Sequence, residues 1–174
     1  MPIPLEEIQA KFEMEERLKV FCRGCDRNDV DLMLSAFHPD AMADYGYMKG
    51  TAREFSEWVV QTHEENFTHT THELSNMLIS LDGDRATSEA YMDSRLRYKD
   101  GDGFSEVFTS VRYLGKWERR NDIWKMVHHM ALCDRFRTIR VEYDEEVAHW
   151  FAKLPQSSMD KNDISYEYVK RVMG

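Results

Sequence analysis

Residues 68–100 read THTTHELSNMLISLDGDRATSEAYMDSRLRYKD, and their pattern decides the fold. Thr68–Ser80 is rich in Thr, Leu and Ile, the composition of a strand. Leu81-Asp82-Gly83-Asp84 is a tight hairpin signal, and Arg85–Lys99 is the returning strand. The pattern recurs downstream. Asp100-Gly101-Asp102-Gly103 turns into Phe104–Arg119, and Arg120-Asn121-Asp122 turns into Ile123–Asp134. Long strands joined in succession by tight turns make an antiparallel meander.

The chain ahead of this meander is helical. Leu5, Ile8, Phe12, Leu18, Val20, Phe21 and Cys22 recur at helix-like intervals, which predicts an amphipathic helix over residues 4–26. Asn28 or Asp29 can cap a short second helix, Val30–Ala36, which Pro39 stops. Ala41–Met48 reads as a strand, and Gly50-Thr51 leads into a third helix, Ala52–Glu65, with Phe55, Trp58 and Val59 on one face. Helices first and a meander afterwards is an α+β pattern, with helices packed on one face of the sheet. The last forty residues differ. They alternate charge with aromatics, contain Pro155 and hold one helical stretch, Glu145–Lys153. The expected organisation is a core over 1–134 and a C-terminal extension over 135–174, partly helical, that closes the pocket mouth or joins subunits.

A chain of 174 residues suits one domain, and 42% hydrophobic with 32% charged residues is a soluble globular mixture. The net charge of −9 argues against a nucleic-acid partner, because phosphate binding needs clustered Lys and Arg. No apolar run approaches the roughly 20 residues that span a bilayer. The acidic start, MPIPLEEIQAKFEMEE, has no signal-peptide pattern, so a cytoplasmic location is expected. Three cysteines do not make a disulfide framework, and Cys22-Arg23-Gly24-Cys25 falls near a helix end, not where a redox motif sits.

Strand parity sorts the polar residues into faces. His72 lies with Thr70, Leu74 and Asn76; Tyr91, Asp93 and Arg95 share a face; Thr109, Val111 and Tyr113 share a face; His129 lies with Ala131 and Cys133. Together these suggest one sheet face carrying Asn76, His72, Tyr91, Asp93, Arg95, Tyr113 and His129 among smaller residues, which suits an amphipathic pocket. His63, His69 and His72 do not converge as a metal site needs, since 63 is helical and 69 and 72 face apart, so no metal is expected.

Phe21-Cys22-Arg23-Gly24-Cys25-Asp26-Arg27-Asn28-Asp29, then Phe37-His38-Pro39-Asp40-Ala41, resembles the opening of SnoaL-like proteins of the nuclear transport factor 2-like superfamily. His72-Glu73-Leu74-Ser75-Asn76-Met77-Leu78-Ile79, Asp82-Gly83-Asp84-Arg85-Ala86 and Arg119-Arg120-Asn121-Asp122-Ile123-Trp124-Lys125 continue the likeness, over about residues 5–134. The resemblance implies a cone-shaped α+β barrel, its helices packed on a strongly curved antiparallel or mixed sheet that encloses a pocket. Within the superfamily the chain is most similar to scytalone dehydratases and hexachlorocyclohexane dehydrochlorinases, cofactor-free lyases with an Asp–His dyad. The likeness implies Asp26 and His72 as that dyad and Tyr45 as the pocket tyrosine. Tyr45, Tyr113 or His129 could then polarise a carbonyl or protonate a leaving hydroxyl, so Tyr45 and His129 are the further expected catalytic residues. Asn76, Tyr91, Arg95, Tyr113, Cys22 and Trp58 are the expected substrate-binding residues. The dehydrochlorinases carry arginine at the position of His129, the dehydratases a second histidine near Arg95, and some related lyases a tyrosine at Phe21.

A carboxylate bonded to one ring nitrogen fixes an imidazole's tautomer and leaves the other nitrogen to take a proton. The expected activity is therefore a cofactor-independent elimination, such as dehydration, on a small aromatic or polycyclic substrate. Retro-aldol cleavage and double-bond isomerisation use the same dyad, and a non-catalytic ligand-binding or dimerisation module is the alternative of another class. A homo-oligomer, dimer or trimer, is expected from the resemblance.

Overall fold

The structure is a computed structural model that describes residues 2–170. Three helices come first: α1 (Leu5–Asp26), α2 (Val30–Ser35) and α3 (Ala52–Asn66), with strands β1 (Phe37–Asp44) and β2 (Lys49–Thr51) between the last two. Four long strands follow: β3 (His69–Asp82), β4 (Arg85–Asp100), β5 (Gly103–Arg120) and β6 (Ile123–Arg140). Two short helices, α4 (Glu145–Phe151) and α5 (Ser165–Tyr168), lie in the C-terminal segment. The sheet order is β2-β1-β6-β5-β4-β3. β1 runs parallel to β6 and every other neighbouring pair is antiparallel, so the sheet is mixed.

Local chemistry sets the helix starts. Asp29 caps α2 by accepting the Leu32 amide at 3.1 Å. Thr51 and Glu54 form a reciprocal capping box at the start of α3. The buried stripe of α1 is Ala10, Met14, Leu18, Phe21 and Cys25, at i, i+3 and i+4 spacing. Leu5, Ile8 and Phe12 of the expected stripe stand exposed, because the covered face of these turns is the one through Ala10 and Met14. The helix touches β3 on one side and β6 on the other, so the sheet wraps around it as a cone that does not close.

The concave face of β4 is made of small residues. Ala86, Ser88, Ala90 and Ser94 are buried there with Met92, and the curled sheet needs that small size to bring helix and strand together. Gly115 on β5 serves the same end. A Cβ there would lie 2.6 Å from Trp117 Nε1 and 2.7 Å from Ser88 Oγ. Its absence lets the indole N–H donate to Ser88 Oγ at 2.8 Å.

Several expectations need correction. Parity on β4 is opposite to the expected pocket assignment: Tyr91 is 45% exposed on the convex face, and Arg95 pairs with Glu73 there. Alternation was read correctly, but the face filled by Ala and Ser is the inner one. Asn76 sits at a register shift between Ser75 and Met77, with a φ of 41°, and is exposed. That bulge ends the parity that tied it to His72. Pro39 does not stop α2, which ends at Ser35; it lies inside β1, where the pairing with β6 shifts between Phe37 and Met42 and no amide proton is required. β6 runs to Arg140, six residues past Asp134, because Arg135–Arg140 pair with Ser105–Ser110. Beyond it, the segment around α5 folds back onto the α1–α2 turn. The Tyr166 hydroxyl donates to Asp29 Oδ2 at 2.8 Å, and Arg23 donates to Ser165 Oγ at 3.0 Å.

Candidate active site

The open end of the cone holds a cavity of about 340 Å³. Its wall comes from the end of α1, from α3, from the β1–β2 turn and from the concave faces of β3 to β6. Most of it is apolar: Phe55, Trp58, Val59, Phe67, Met92, Leu96, Val111 and Ala131 all contribute. Among the polar residues of the wall, Tyr45, His63, His72, Ser94 and Thr109 have side-chain hydrogen bonds.

His72 projects inward from β3 beside the last turn of α1. Its Nδ1 lies 2.6 Å from Asp26 Oδ1. The same carboxylate accepts the His72 backbone amide at 3.0 Å through Oδ2 and the Thr70 hydroxyl at 3.1 Å through Oδ1. A carboxylate accepts and does not donate, so the imidazole carries its proton on Nδ1 and offers Nε2. Asp26 lies behind His72 and outside the cavity wall. The helix-end position that made Asp26 unremarkable in sequence is what lets it reach the edge strand.

Tyr45 and His129 form a second pair. The Tyr45 hydroxyl and His129 Nε2 are 2.8 Å apart. His129 is fully buried, ringed by Phe21, Phe37 and Tyr113, and its Nδ1 has no partner among the described residues. Burial, reinforced by nearby His128, pushes its pKa down to about 3, so the ring is neutral. His129 therefore does not face the cavity as a direct acid; Tyr45 stands between them. Burial also pushes the Tyr45 and Tyr113 phenols well above their ordinary range, so both keep their protons. Tyr113 and Trp58 line the cavity as expected. Cys22 does not: it is packed in the core, and Cys25 takes the wall position. Burial raises both thiols, and both are free, so the C-x-x-C spacing carries neither a thiolate nor a disulfide.

Sequence reasoning passed over His63 because it is helical. Phe55, Val59 and His63 are spaced by four on the buried face of α3, and that periodicity is the signal that places it inward. His63 lines the cavity beside His72, with ring centroids 6.0 Å apart and planes at 22°. Burial, with nearby His72, lowers its pKa to about 4. Among the described residues no group of three metal-ligating side chains converges, and no helix is long and apolar enough to cross a membrane.

The fold is thus a helix-filled cone, open at one end over a pocket, with His72 in the pocket wall and Asp26 behind it. The SnoaL-like domain matches residues 6–129, and the chain belongs to that family. An uncharacterized protein of Mycobacterium tuberculosis is 25% identical over 131 residues, covering 74% of this chain and 88% of its own length. Among solved structures, a hexachlorocyclohexane dehydrochlorinase (LinA, type 2) superposes with a TM-score of 0.72 at 14% identity, over 80% of this chain and 96% of that one. A protein provisionally named scytalone dehydratase, from Novosphingobium aromaticivorans, superposes with a TM-score of 0.65 at 15% identity, over 78% of this chain and 91% of that one. At these identities the likeness to the solved structures establishes the fold.

Proposed function

We propose that the chain is a cofactor-independent lyase that eliminates water from a small aromatic or polycyclic hydroxy-carbonyl compound. The observation that carries this reading is the 2.6 Å contact between Asp26 and His72, at the wall of an apolar cavity. In the proposed reaction His72 Nε2 takes the proton from the carbon next to the carbonyl. The C–H electron pair forms an enolate, whose oxygen is held by the Tyr45 hydroxyl. The enolate collapses to the alkene, the C–O bond breaks, and the departing hydroxyl takes the proton back from the His72 imidazolium and leaves as water. Asp26 holds the tautomer and stabilises the imidazolium. A positioned base of this kind contributes roughly 10²–10⁴-fold. The names of the dehydratase and dehydrochlorinase neighbours, both elimination enzymes, support this reaction class. Retro-aldol cleavage and isomerisation start from the same proton transfer and differ in the bond that then breaks.

The same proposal includes a homo-oligomer. Phe136, Ile139, Trp150 and Phe151 expose apolar surface on β6 and α4, which suits burial between subunits. A monomeric mass by light scattering would exclude that part. The test of the chemistry is a screen of aromatic β-hydroxy ketones and hydroxy-aldehydes with wild type and His72→Ala. We expect turnover by wild type and a fall of at least 10²-fold in the variant. Equal turnover by both, with both folded, would remove the dyad from the mechanism.

A further inference from the structure

Two imidazoles hang from the last turn of α1. His72, from β3, bonds through Nδ1 to Asp26. His63, from α3, bonds through Nδ1 to the main-chain carbonyl of Cys25, at 3.1 Å. The anchors are adjacent residues of one helix end, and the two rings lie nearly parallel. Each ring uses the nitrogen nearest α1, so each leaves Nε2 on the far side, and both residues line the cavity.

The two nitrogens differ in what they can do. A carbonyl oxygen only accepts, so the His63 proton sits on Nδ1 and Nε2 is a bare lone pair. Burial keeps the His63 ring uncharged near neutrality, with a pKa of about 4. Asp26 bonds His72, so the carboxylate that would stabilise an imidazolium serves the other ring. Ser94 and Thr109, which also line this cavity, bond to each other at 2.7 Å. His63 Nε2 is thus an acceptor without a hydrogen-bond partner among the described residues, in a mostly apolar cavity.

We infer that His63 is a specificity-determining residue: a fixed, uncharged hydrogen-bond acceptor that receives a hydroxyl of the substrate beside the proton-transfer nitrogen of His72. The inference rests on reading the cavity as the substrate site. It narrows the substrate class to ring compounds that carry a hydroxyl in addition to the carbon that loses its proton, since the two imidazoles stand side by side in the cavity wall. Phenols and ring alcohols satisfy His63, whereas hydrocarbons and ethers leave a desolvated lone pair unpaired. This hydroxyl is distinct from the leaving group, because a neutral imidazole with a bare Nε2 has no proton to give there.

The test uses 2-naphthol and 2-methoxynaphthalene as probes, with binding followed by calorimetry on wild type, His63→Phe and His63→Gln. Wild type should prefer the naphthol roughly five- to tenfold, the worth of one net hydrogen bond. His63→Phe should lose most of that preference while holding the ether as before, and His63→Gln, which keeps an acceptor, should recover part of it. In ¹⁵N-labelled wild type, the His63 ring should show a protonated Nδ1 and a bare Nε2 that shifts when 2-naphthol is added. A naphthol preference that persists unchanged in His63→Phe, the opposite tautomer, or binding of neither probe to wild type would each overturn the inference. His72→Ala separates this from the lyase reading: it should abolish turnover and keep the naphthol preference.

Discussion

Acid should destabilise this protein well before its carboxylates titrate, and the cause lies in two buried histidines. His129 is held neutral to about pH 3 and His63 to about pH 4. In the unfolded chain both take a proton near the ordinary imidazole value of about 6.5. Between those limits the unfolded state binds more protons than the folded one, so stability falls as the pH falls. The contribution is fully present above about pH 6.5, is lost progressively below it, and stops changing once the folded pKa is passed. Each histidine costs about 1.4 kcal/mol per pH unit. From about pH 6.5 to 4.5 that is about 2 kcal/mol each and about 4 kcal/mol for the pair, against a total of roughly 5–15 kcal/mol for a domain. Asp163, whose pKa is lowered to about 2 chiefly by the Ser165 hydroxyl, acts in a lower window, below about pH 4. Urea unfolding at a series of pH values, on wild type and His129→Gln, measures the effect. Glutamine can still bond Tyr45 and cannot titrate, so the variant should lose roughly half of the acid sensitivity. The same slope in both proteins, or stability that is flat from about pH 6.5 to 4.5, would refute the reasoning.

Three further outcomes follow from local geometry. Asp26→Asn should leave the fold intact: with its oxygen in the Oδ2 place the amide still accepts from the His72 main chain, and its NH2, in the Oδ1 place, faces the Thr70 hydroxyl and Nδ1. That moves the ring proton to Nε2, and turnover should fall on the order of 10²–10⁴-fold with KM little changed, read by steady-state kinetics on the first active screening compound. Tyr45→Phe should lower kcat more than it raises KM, by roughly 10- to 100-fold, because the phenol holds the enolate oxygen and not the ground state. Gly24→Ala should cost roughly 1–3 kcal/mol in thermal or urea unfolding, since its Cβ would lie 2.6 Å from Met33 Cγ and 2.8 Å from the Met33 main-chain nitrogen.

The hairpin signals and helical periodicities were legible because they are local. Turn chemistry at Leu81–Asp84 and Asp100–Gly103, and the Thr51 start of α3, depend on residues close in sequence. Which face of β4 points inward is not local. The alternation of Tyr91 and Arg95 with Met92 and Ser94 was visible, but the choice between faces is made by the helix packed against the sheet, which needs the small side chains. Asn76 was misplaced for a related reason: a bulge displaces parity by one residue without any turn signature. His63 escaped notice because one histidine on a helix carries no chemistry until the helix has a partner, and its Nδ1 finds that partner in a main-chain carbonyl that no sequence pattern encodes.

Both imidazoles take their orientation from the end of α1, so the geometry of the site depends on how that end is fixed. Helix α1 stops at Asp26, and Asn28 turns the chain with a φ of 47°, a conformation asparagine tolerates better than most side chains. Asp29 at once caps α2, and Gly24 lets Met33 of that helix pack against α1 without a Cβ between them. The C-terminal segment then holds the turn from outside, with Tyr166 on Asp29 and Ser165 on Arg23. A shift of this turn by one ångström would move Asp26 Oδ1 out of reach of His72 and the Cys25 carbonyl out of reach of His63 together. A single short turn, braced by two helices and a distant tail, thus sets the tautomers of both rings.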